Sequence, residues 1–193
     1  MAQVRTFIAV SLPAEVRDAL ARCQERLGAA KIRYVKWVNP EGIHLTLKFL
    51  GNVDETNLPH LAQALRASVA GISAFHLRTG PLGAFPSPKS PRVLWVGLAG
   101  ALDRLEVLHR AVEEAAALLG FPPEERSFAP HLTLARVRDD ATREDRARLA
   151  QSLAQVRMDG SWDIPVGEII VMKSELARAG ATYASLHVVH LAI

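Results

Sequence analysis

Several features are scarce or missing in this sequence, and each scarcity excludes a class of protein. Cys23 is the one cysteine in 193 residues, which excludes an internal disulfide and is typical of a reducing compartment. No run approaches about 18 consecutive apolar residues, and no basic N-terminal region precedes an apolar stretch. We therefore expect a cytoplasmic protein without a membrane span or a secretion signal.

A large excess of positive or negative charge is also missing. The 23 basic and 20 acidic residues leave a net charge of +3, which suits a phosphate-bearing ligand but is too small to require a nucleic acid. The Gly-x-Ser-x-Gly turn of serine hydrolases and the glycine-rich phosphate loop are both missing. What remains is an ordinary globular composition, 49% hydrophobic and 22% charged, and a length that suffices for one core or two small lobes that share one.

The most informative feature that is present is the tetrapeptide His-Leu-Thr-Leu, which occurs at residues 44–47 and again at residues 131–134. Each copy lies in a short apolar run that predicts a β-strand. Side chains alternate between the two faces of a strand, so His44 shares a face with Thr46, and His131 shares a face with Thr133. Two such strands predict a site with two equivalent halves.

Strand alternation also makes predictions for the cations that follow each motif. Lys48 has the parity of His44 and Thr46, so we expect it to be exposed on the same face. Arg136 has the opposite parity to His131 and Thr133, and it reaches the same ligand only if the strand ends or bulges there.

The remaining pattern predicts an α+β fold rather than a repeated βα ladder. Helices are predicted at about residues 13–27, 56–69, 102–119 and 142–156, and strands at 4–10, 32–38, 43–50, 75–79, 93–98, 162–172 and 182–192, besides the second motif strand. Residues 80–92 hold four prolines and two glycines and interrupt the pattern between the halves. We expect one bilobed domain over residues 1–193, in which two pseudo-symmetric, small antiparallel sheets line a central cleft and the helices lie outside.

Paired histidines can perform acid–base chemistry at a phosphorus centre. Histidine is the side chain that serves as acid or base near neutral pH without a large pKa shift, and the threonine hydroxyls can hold nonbridging phosphate oxygens. A metal site is disfavoured, since threonine is a poor ligand and no carboxylate or third histidine accompanies either motif. The sequence therefore predicts no metal site at the motifs. For the other five histidines we expect surface or core roles.

At these motifs the chain resembles the two-histidine phosphoesterase superfamily, whose hallmark is a pair of His-x-Thr-x motifs. It looks like the bacterial and archaeal branch of RNA 2′,3′-cyclic phosphodiesterases, historically called 2′-5′ RNA ligases. The likeness runs from about Arg5 to Val189 and includes the segments 6–10, 44–51, 83–86, 92–97, 130–136 and 174–176.

The resemblance implies hydrolysis of a terminal 2′,3′-cyclic phosphate on RNA or on a nucleoside to a 2′-phosphate, without a metal and without a cofactor. It implies that His44 gives a proton to the leaving 3′-oxygen, that His131 accepts a proton from water, and that Thr46 and Thr133 bind the phosphate. The sequence itself does not order the two histidine roles.

Two further residues are candidates from the expected cleft. Phe85, in the proline-rich segment, is a candidate for stacking on a terminal base, with loop anchoring as its alternative. Arg136 is a candidate phosphate ligand, with a surface ion pair as its alternative.

Two other functions stay open. One is 2′-5′ ligation of RNA ends, largely the reverse reaction, which could use the same four residues. The other is a non-catalytic nucleotide-binding module, which the intact histidines and threonines disfavour. In each case we expect a monomer that does not associate with membranes.

Overall fold

Strands and helices alternate along the chain in an order that brings the two motifs to the middle of one sheet. A computed structural model describes residues 2–29, 34–177 and 180–192. Its elements are β1 (Gln3–Val10), α1 (Ala14–Gly28), β2 (Val35–Trp37), β3 (Leu45–Asp54), α2 (Leu58–Val69), β4 (Phe75–Ser87), β5 (Ser90–Gly100), α3 (Leu102–Ala117), β6 (His131–Val137), α4 (Arg143–Gln155), β7 (Asp163–Val166), β8 (Glu168–Ala177) and β9 (Gly180–His190), with single 3₁₀ turns at Pro40–Gly42 and Glu55–Asn57.

The helices form where the apolar period of 3.6 residues and the capping residues predict them. On α1 the predicted stripe of Val16, Leu20, Cys23 and Leu27 is fully buried, so Cys23 has the core position expected of it. Thr142 and Asp145 form a reciprocal capping box that starts α4. The stripe of α3 is shorter than predicted, because Leu102 and Leu119 at its two ends are exposed.

The nine described strands form one antiparallel sheet made of two matching halves. The strand order is β7-β4-β5-β6-β3-β1-β8-β9, with β2 added on β6. The halves meet where β3 and β6 pair at Leu45 and Leu132. Counted outward from this junction, each half has four strands, so the expected pair of small antiparallel sheets is confirmed, and the junction joins them into one. One hydrophobic cluster extends through residues of both halves.

The proline-rich segment is the main error of the sequence analysis. Residues 80–92 are not a break between lobes: β4 and β5 continue through them and pair as a hairpin. The pairing shifts register between Thr79 and Leu82 and again between Phe85 and Pro86. Proline lacks an N–H donor, and strands accept it at such irregularities, where a ladder hydrogen bond is already missing.

Two other predicted strand boundaries were wrong, and a third strand is confirmed in part. β3 does not end at Gly51, since this glycine has a φ of 72° at a bulge and the strand continues. The predicted strand 162–172 is two strands, β7 and β8, separated by Gly167. The predicted strand 32–38 is confirmed at Val35–Trp37, and its residues 32–33 lie outside the described part of the chain.

Candidate active site

The two motifs meet at the junction between the halves of the sheet. Because Leu45 pairs with Leu132 in an antiparallel register, His44 lies across from Thr133, and Thr46 lies across from His131. All four side chains project to the face opposite the two buried leucines. The structure therefore places the imidazoles and hydroxyls in a diagonal arrangement, in which each histidine has the other strand's threonine as its neighbour.

Each imidazole is held by the same local hydrogen bond. The Nδ1 atom of His44 lies 2.8 Å from the carbonyl oxygen of Gly42, and that of His131 lies 2.7 Å from the carbonyl oxygen of Ala129. A carbonyl only accepts, so Nδ1 carries the hydrogen in both rings. The Nε2 atom of each neutral imidazole is then left as the proton acceptor, with the ring orientation fixed from behind.

A β-bulge lies at the last residue of each motif. In β3 the partners of Ile8 and Ala9 are Lys48 and Thr46, which leaves Leu47 as the extra residue. In β6 the partners of Leu94 and Trp95 are Ala135 and Thr133, which leaves Leu134 as the extra residue. The inserted residue reverses the alternation of the side chains that follow it.

The bulges decide which side chains reach the face of the histidines. Lys48 is 2% exposed, so the prediction that it accompanies His44 and Thr46 was wrong. Phe49 takes the exposed position instead, with 59% of its surface accessible, and it lines the cleft. In the second half Ala135 is buried, and Arg136 lines the cleft together with Thr133. The bulge that Arg136 required is therefore present.

His44 lies between two aromatic rings that the sequence analysis did not select. Phe7 of β1 stacks on the imidazole with ring centroids 4.5 Å apart, and the ring of Tyr183 of β9 meets it edge-on at 5.0 Å. Burial among these rings lowers the pKa of His44 to about 4, against the hydrogen bond to Gly42, which raises it. In the ligand-free protein His44 is therefore neutral near pH 7.

His131 has a different aromatic environment. Phe85 meets its ring edge-on with centroids 5.1 Å apart, and Trp95 lies 6.4 Å away. Trp95 reaches this position because it lies over Gly83, where a Cβ atom would come within 2.2 Å of the indole. Phe85 belongs to β4 rather than to a loop, and it contacts Trp95 as well as His131.

The cleft at this face has a volume of about 1420 Å³ and continues well beyond the four motif residues. His44, Thr46 and Thr133 line it, and the register places His131 across from Thr46. Its ionisable lining besides His44 and Tyr183 is basic except for one carboxylate, and consists of Arg5, Lys36, Arg136 and Glu25. This surface suits an extended anion.

Two kinds of feature are missing from the described residues. Within residues 2–29, 34–177 and 180–192, no three His, Cys, Asp or Glu side chains cluster as a metal site would require. No helix among these residues is both long and apolar enough to cross a membrane.

Comparison with known proteins gives one consistent result. A model of the family described as LigT like Phosphoesterase matches residues 10–95 and again residues 96–183, so that each match contains one motif. Two proteins named RNA 2′,3′-cyclic phosphodiesterase are similar to nearly the whole chain. That of Methanothermobacter thermautotrophicus is 35% identical over 98% of this chain and 100% of its own length, and that of Aeropyrum pernix is 34% identical over 90% and 95%.

Among solved structures, the chain is similar to E. coli LigT complexed with 3′-AMP. The TM-score is 0.77 at 26% sequence identity, and the match covers 98% of this chain and 99% of the other.

Proposed function

Because the chain belongs to the LigT like Phosphoesterase family, we propose that it is an enzyme that hydrolyses RNA-terminal 2′,3′-cyclic phosphates to 2′-phosphomonoesters. The main observation in support of this proposal is the arrangement of the motif residues where β3 and β6 pair. Two histidines, each held by a carbonyl two residues back, lie beside two threonines on one face of the sheet. The relatives named RNA 2′,3′-cyclic phosphodiesterase support the reaction.

In the proposed mechanism the two imidazoles divide the proton transfers. His131, neutral at Nε2, takes a proton from a water molecule as its oxygen bonds to phosphorus. The bond from phosphorus to the 3′-oxygen breaks, and His44 gives its Nε2 proton to that oxygen. The products are a free 3′-hydroxyl and a 2′-phosphate, and exchange with solvent restores both rings. The hydroxyls of Thr46 and Thr133 donate to the nonbridging oxygens, on which negative charge grows in the transition state.

The lowered pKa of His44 places a requirement on this assignment. A proton donor must be protonated, whereas a pKa of about 4 leaves His44 neutral in the free protein. A phosphate anion next to Nε2 favours the charged imidazolium and raises the pKa. We therefore infer that the negative charge of the bound substrate raises the pKa of His44 enough to protonate it. Substrate binding is then accompanied by proton uptake.

Further residues complete the proposed substrate site. Arg136 binds the phosphate or its neighbour along the RNA, in support of which it lines the same cleft as Thr133. For Phe85 we propose stacking on the terminal base, although its contacts with Trp95 and His131 are equally those of a residue that orients the catalytic ring.

We also propose that residues 1–193 act as one bilobed domain and as a monomer in the cytoplasm. Both motifs come from one chain and meet within one sheet, so the site needs no second copy. The one cysteine, Cys23, is buried and unpaired, which is compatible with a reducing compartment.

The deciding experiment is product analysis. The protein is incubated with a nucleoside 2′,3′-cyclic phosphate over a range of pH, and the product is identified as a 2′- or a 3′-phosphate. A 2′-phosphate is expected, and a 3′-phosphate would mean that the other oxygen leaves. Binding of RNA ends without turnover at any pH would indicate the non-catalytic module instead.

The same assay tests ligation. An RNA with a free 5′-hydroxyl is added as a competing nucleophile, for which the cleft of about 1420 Å³ offers room. Hydrolysis is expected to dominate in water, and a 2′-5′-linked product as the main species would favour the ligase.

A further inference from the structure

A buried ion pair lies directly behind the first motif strand. The ammonium of Lys48 donates to both carboxylate oxygens of Glu113 on α3, at 2.9 and 2.8 Å, and to the carbonyl oxygen of Pro122 at 2.9 Å. The side chains of Lys48 and Glu113 are only 2% and 17% exposed. Burying two charges is costly unless their hydrogen bonds are satisfied, and here every Lys48 proton has an acceptor.

The contacts continue from this pair toward the second motif. His109, one helical turn before Glu113, has its Nε2 atom 3.7 Å from the Glu113 carboxylate. The imidazole of His109 stacks on the ring of Phe128, with centroids 3.8 Å apart and planes 9° from parallel. We call Lys48, Glu113, His109 and Phe128 the Lys48 network.

The Lys48 network contacts the segment that leads into β6 near both of its ends. Residues 121–130 contain neither helix nor strand. Lys48 holds the carbonyl of Pro122 near the start of the segment, and His109 holds the ring of Phe128 near its end. The next residue after Phe128 is Ala129, whose carbonyl oxygen receives the Nδ1 hydrogen bond of His131.

The carbonyl that accepts the hydrogen bond of His44 is fixed in a different way. Gly42, whose carbonyl holds His44, ends a 3₁₀ turn in which the side chain of Asn39 accepts the backbone N–H of Glu41. A hydrogen-bonded turn therefore fixes that carbonyl locally. The segment before His131 forms no such turn, so its carbonyl depends on side-chain contacts made by distant residues.

We propose that the Lys48 network consists of positioning residues for His131, which fix the Ala129 carbonyl and thereby the tautomer and orientation of the second imidazole. Its use in catalysis rests on the function proposed above. The first motif strand then supports both halves of the site: His44 and Thr46 project into the cleft, and Lys48, turned to the other side by the bulge at Leu47, secures the opposite histidine.

The test combines a structural and a kinetic measurement on the full chain. Phe128→Ala removes the stack on His109 but leaves the buried ion pair intact, so that the protein is expected to fold. Nitrogen-15 chemical shifts of the imidazoles at pH 8 report the tautomer of His131. We expect the Nδ1–H form in the native protein and a mixture of both forms in Phe128→Ala.

The kinetic measurement uses a nucleoside 2′,3′-cyclic phosphate. A misplaced base lowers kcat by about 10- to 100-fold with little change in KM. Glu113→Gln, which leaves the buried Lys48 charge without its counterion, should lower kcat at least as much, provided that its circular dichroism is native. Phe128→Tyr keeps the stacked ring and should restore both kcat and the tautomer.

The matched control is Val112→Ala, which makes a cavity on the buried face of α3 and removes no side chain of the Lys48 network. It should lower the melting temperature as the network variants do, but leave kcat and the His131 tautomer unchanged. A native tautomer and native kcat in Phe128→Ala would overturn the proposal.

The two proposals fail separately. If the native protein does not hydrolyse cyclic phosphates but Phe128→Ala still changes the tautomer, the function is wrong and the positioning role stands.

Discussion

The two halves of the sheet hold their histidines alike but surround them differently. In each half a carbonyl two residues back accepts the Nδ1 hydrogen, and the second leucine of the motif forms a bulge. His44, however, is enclosed by Phe7 and Tyr183 and has a pKa lowered to about 4. The repeated backbone thus fixes where the imidazoles lie, while side chains that are not repeated fix how readily His44 is protonated.

The positions after the bulges differ in the same way. The buried position holds Lys48 in one half and Ala135 in the other, and the exposed position holds Phe49 and Arg136. One half therefore offers the cleft an aromatic surface and the other a guanidinium. Under the proposed function, unequal side chains on a duplicated backbone would let the base and the phosphate of an RNA end meet different partners.

The largest effect is expected from removing either imidazole. His44→Ala and His131→Ala should each lower kcat/KM for a nucleoside 2′,3′-cyclic phosphate by about 10²–10⁴-fold, roughly 2.7–5.4 kcal/mol of barrier. His60→Ala, at an exposed position on α2, is the control and should keep full activity. Native activity in either motif variant would exclude two-histidine catalysis.

A modified substrate then separates the two roles. When sulfur replaces the 3′-bridging oxygen, the leaving thiolate needs little protonation near neutral pH. This substrate should restore turnover to His44→Ala and not to His131→Ala. Restoration of His131→Ala alone would show that the donor is His131, a result that the low pKa of free His44 makes important to test.

The next largest loss of activity is expected from replacing the threonines. Thr46→Val and Thr133→Val keep the volume and remove one hydrogen bond to a charged phosphate, which costs about 1.5–3 kcal/mol. Each should lower kcat/KM by about 10- to 100-fold. Unequal losses would show that the phosphate is bound more closely by one half of the sheet, and no loss in both would remove the threonines from the site.

The lowered pKa of His44 makes the stability of the protein depend on pH. Its pKa falls from 6.5 to about 4 on folding, so between these values the unfolded chain binds a proton that the native chain does not. The free energy of unfolding should therefore decrease as the pH falls from 6.5 to 4, by at most about 3 kcal/mol and by less where solvent reaches the ring.

The measurement is the urea midpoint against pH for the native protein and for His44→Gln. The glutamine variant should lose this part of the pH dependence, while other groups still titrate in both proteins. Parallel curves would mean that the burial of His44 does not oppose its protonation.

The smallest effect is expected from a chelator. Proton transfer in the proposed mechanism runs through His44 and His131 alone, so EDTA should leave kcat/KM unchanged. Strong inhibition that an added divalent ion reverses would contradict the proposal. It would indicate that a metal-bound water takes the place of one imidazole in the reaction.

Alternation along the strands could be predicted up to the second leucine of each motif, and it failed at the next residue. Nothing in the pattern marks Leu47 or Leu134 as an extra residue, because a bulge depends on how the neighbouring strands β1 and β5 pair. Hence Lys48 was assigned to the wrong face. The proline-rich segment was missed for a related reason: its partner strand, not its own composition, keeps it extended.

The aromatic neighbours of His44 could not be predicted from the sequence either. Phe7 and Tyr183 stand near opposite ends of the chain, and they meet His44 only because β1 lies between β3 and β8, to which β9 is added. Phe7 lies within a segment that carried the family resemblance, yet no spacing connects it to the motif.

The sequence by itself determined the repeated motif, the shared face of each histidine and threonine, and the helical stripes of the core. These follow from periods of 2 and 3.6 residues, which are local properties of the backbone. Only the tertiary structure decided that His44 is partly buried between aromatic rings, that Lys48 is turned away from the cleft, and that a contact network leads to the segment before His131. Burial and pKa depend on atoms brought together from distant parts of the chain, and no local period encodes them.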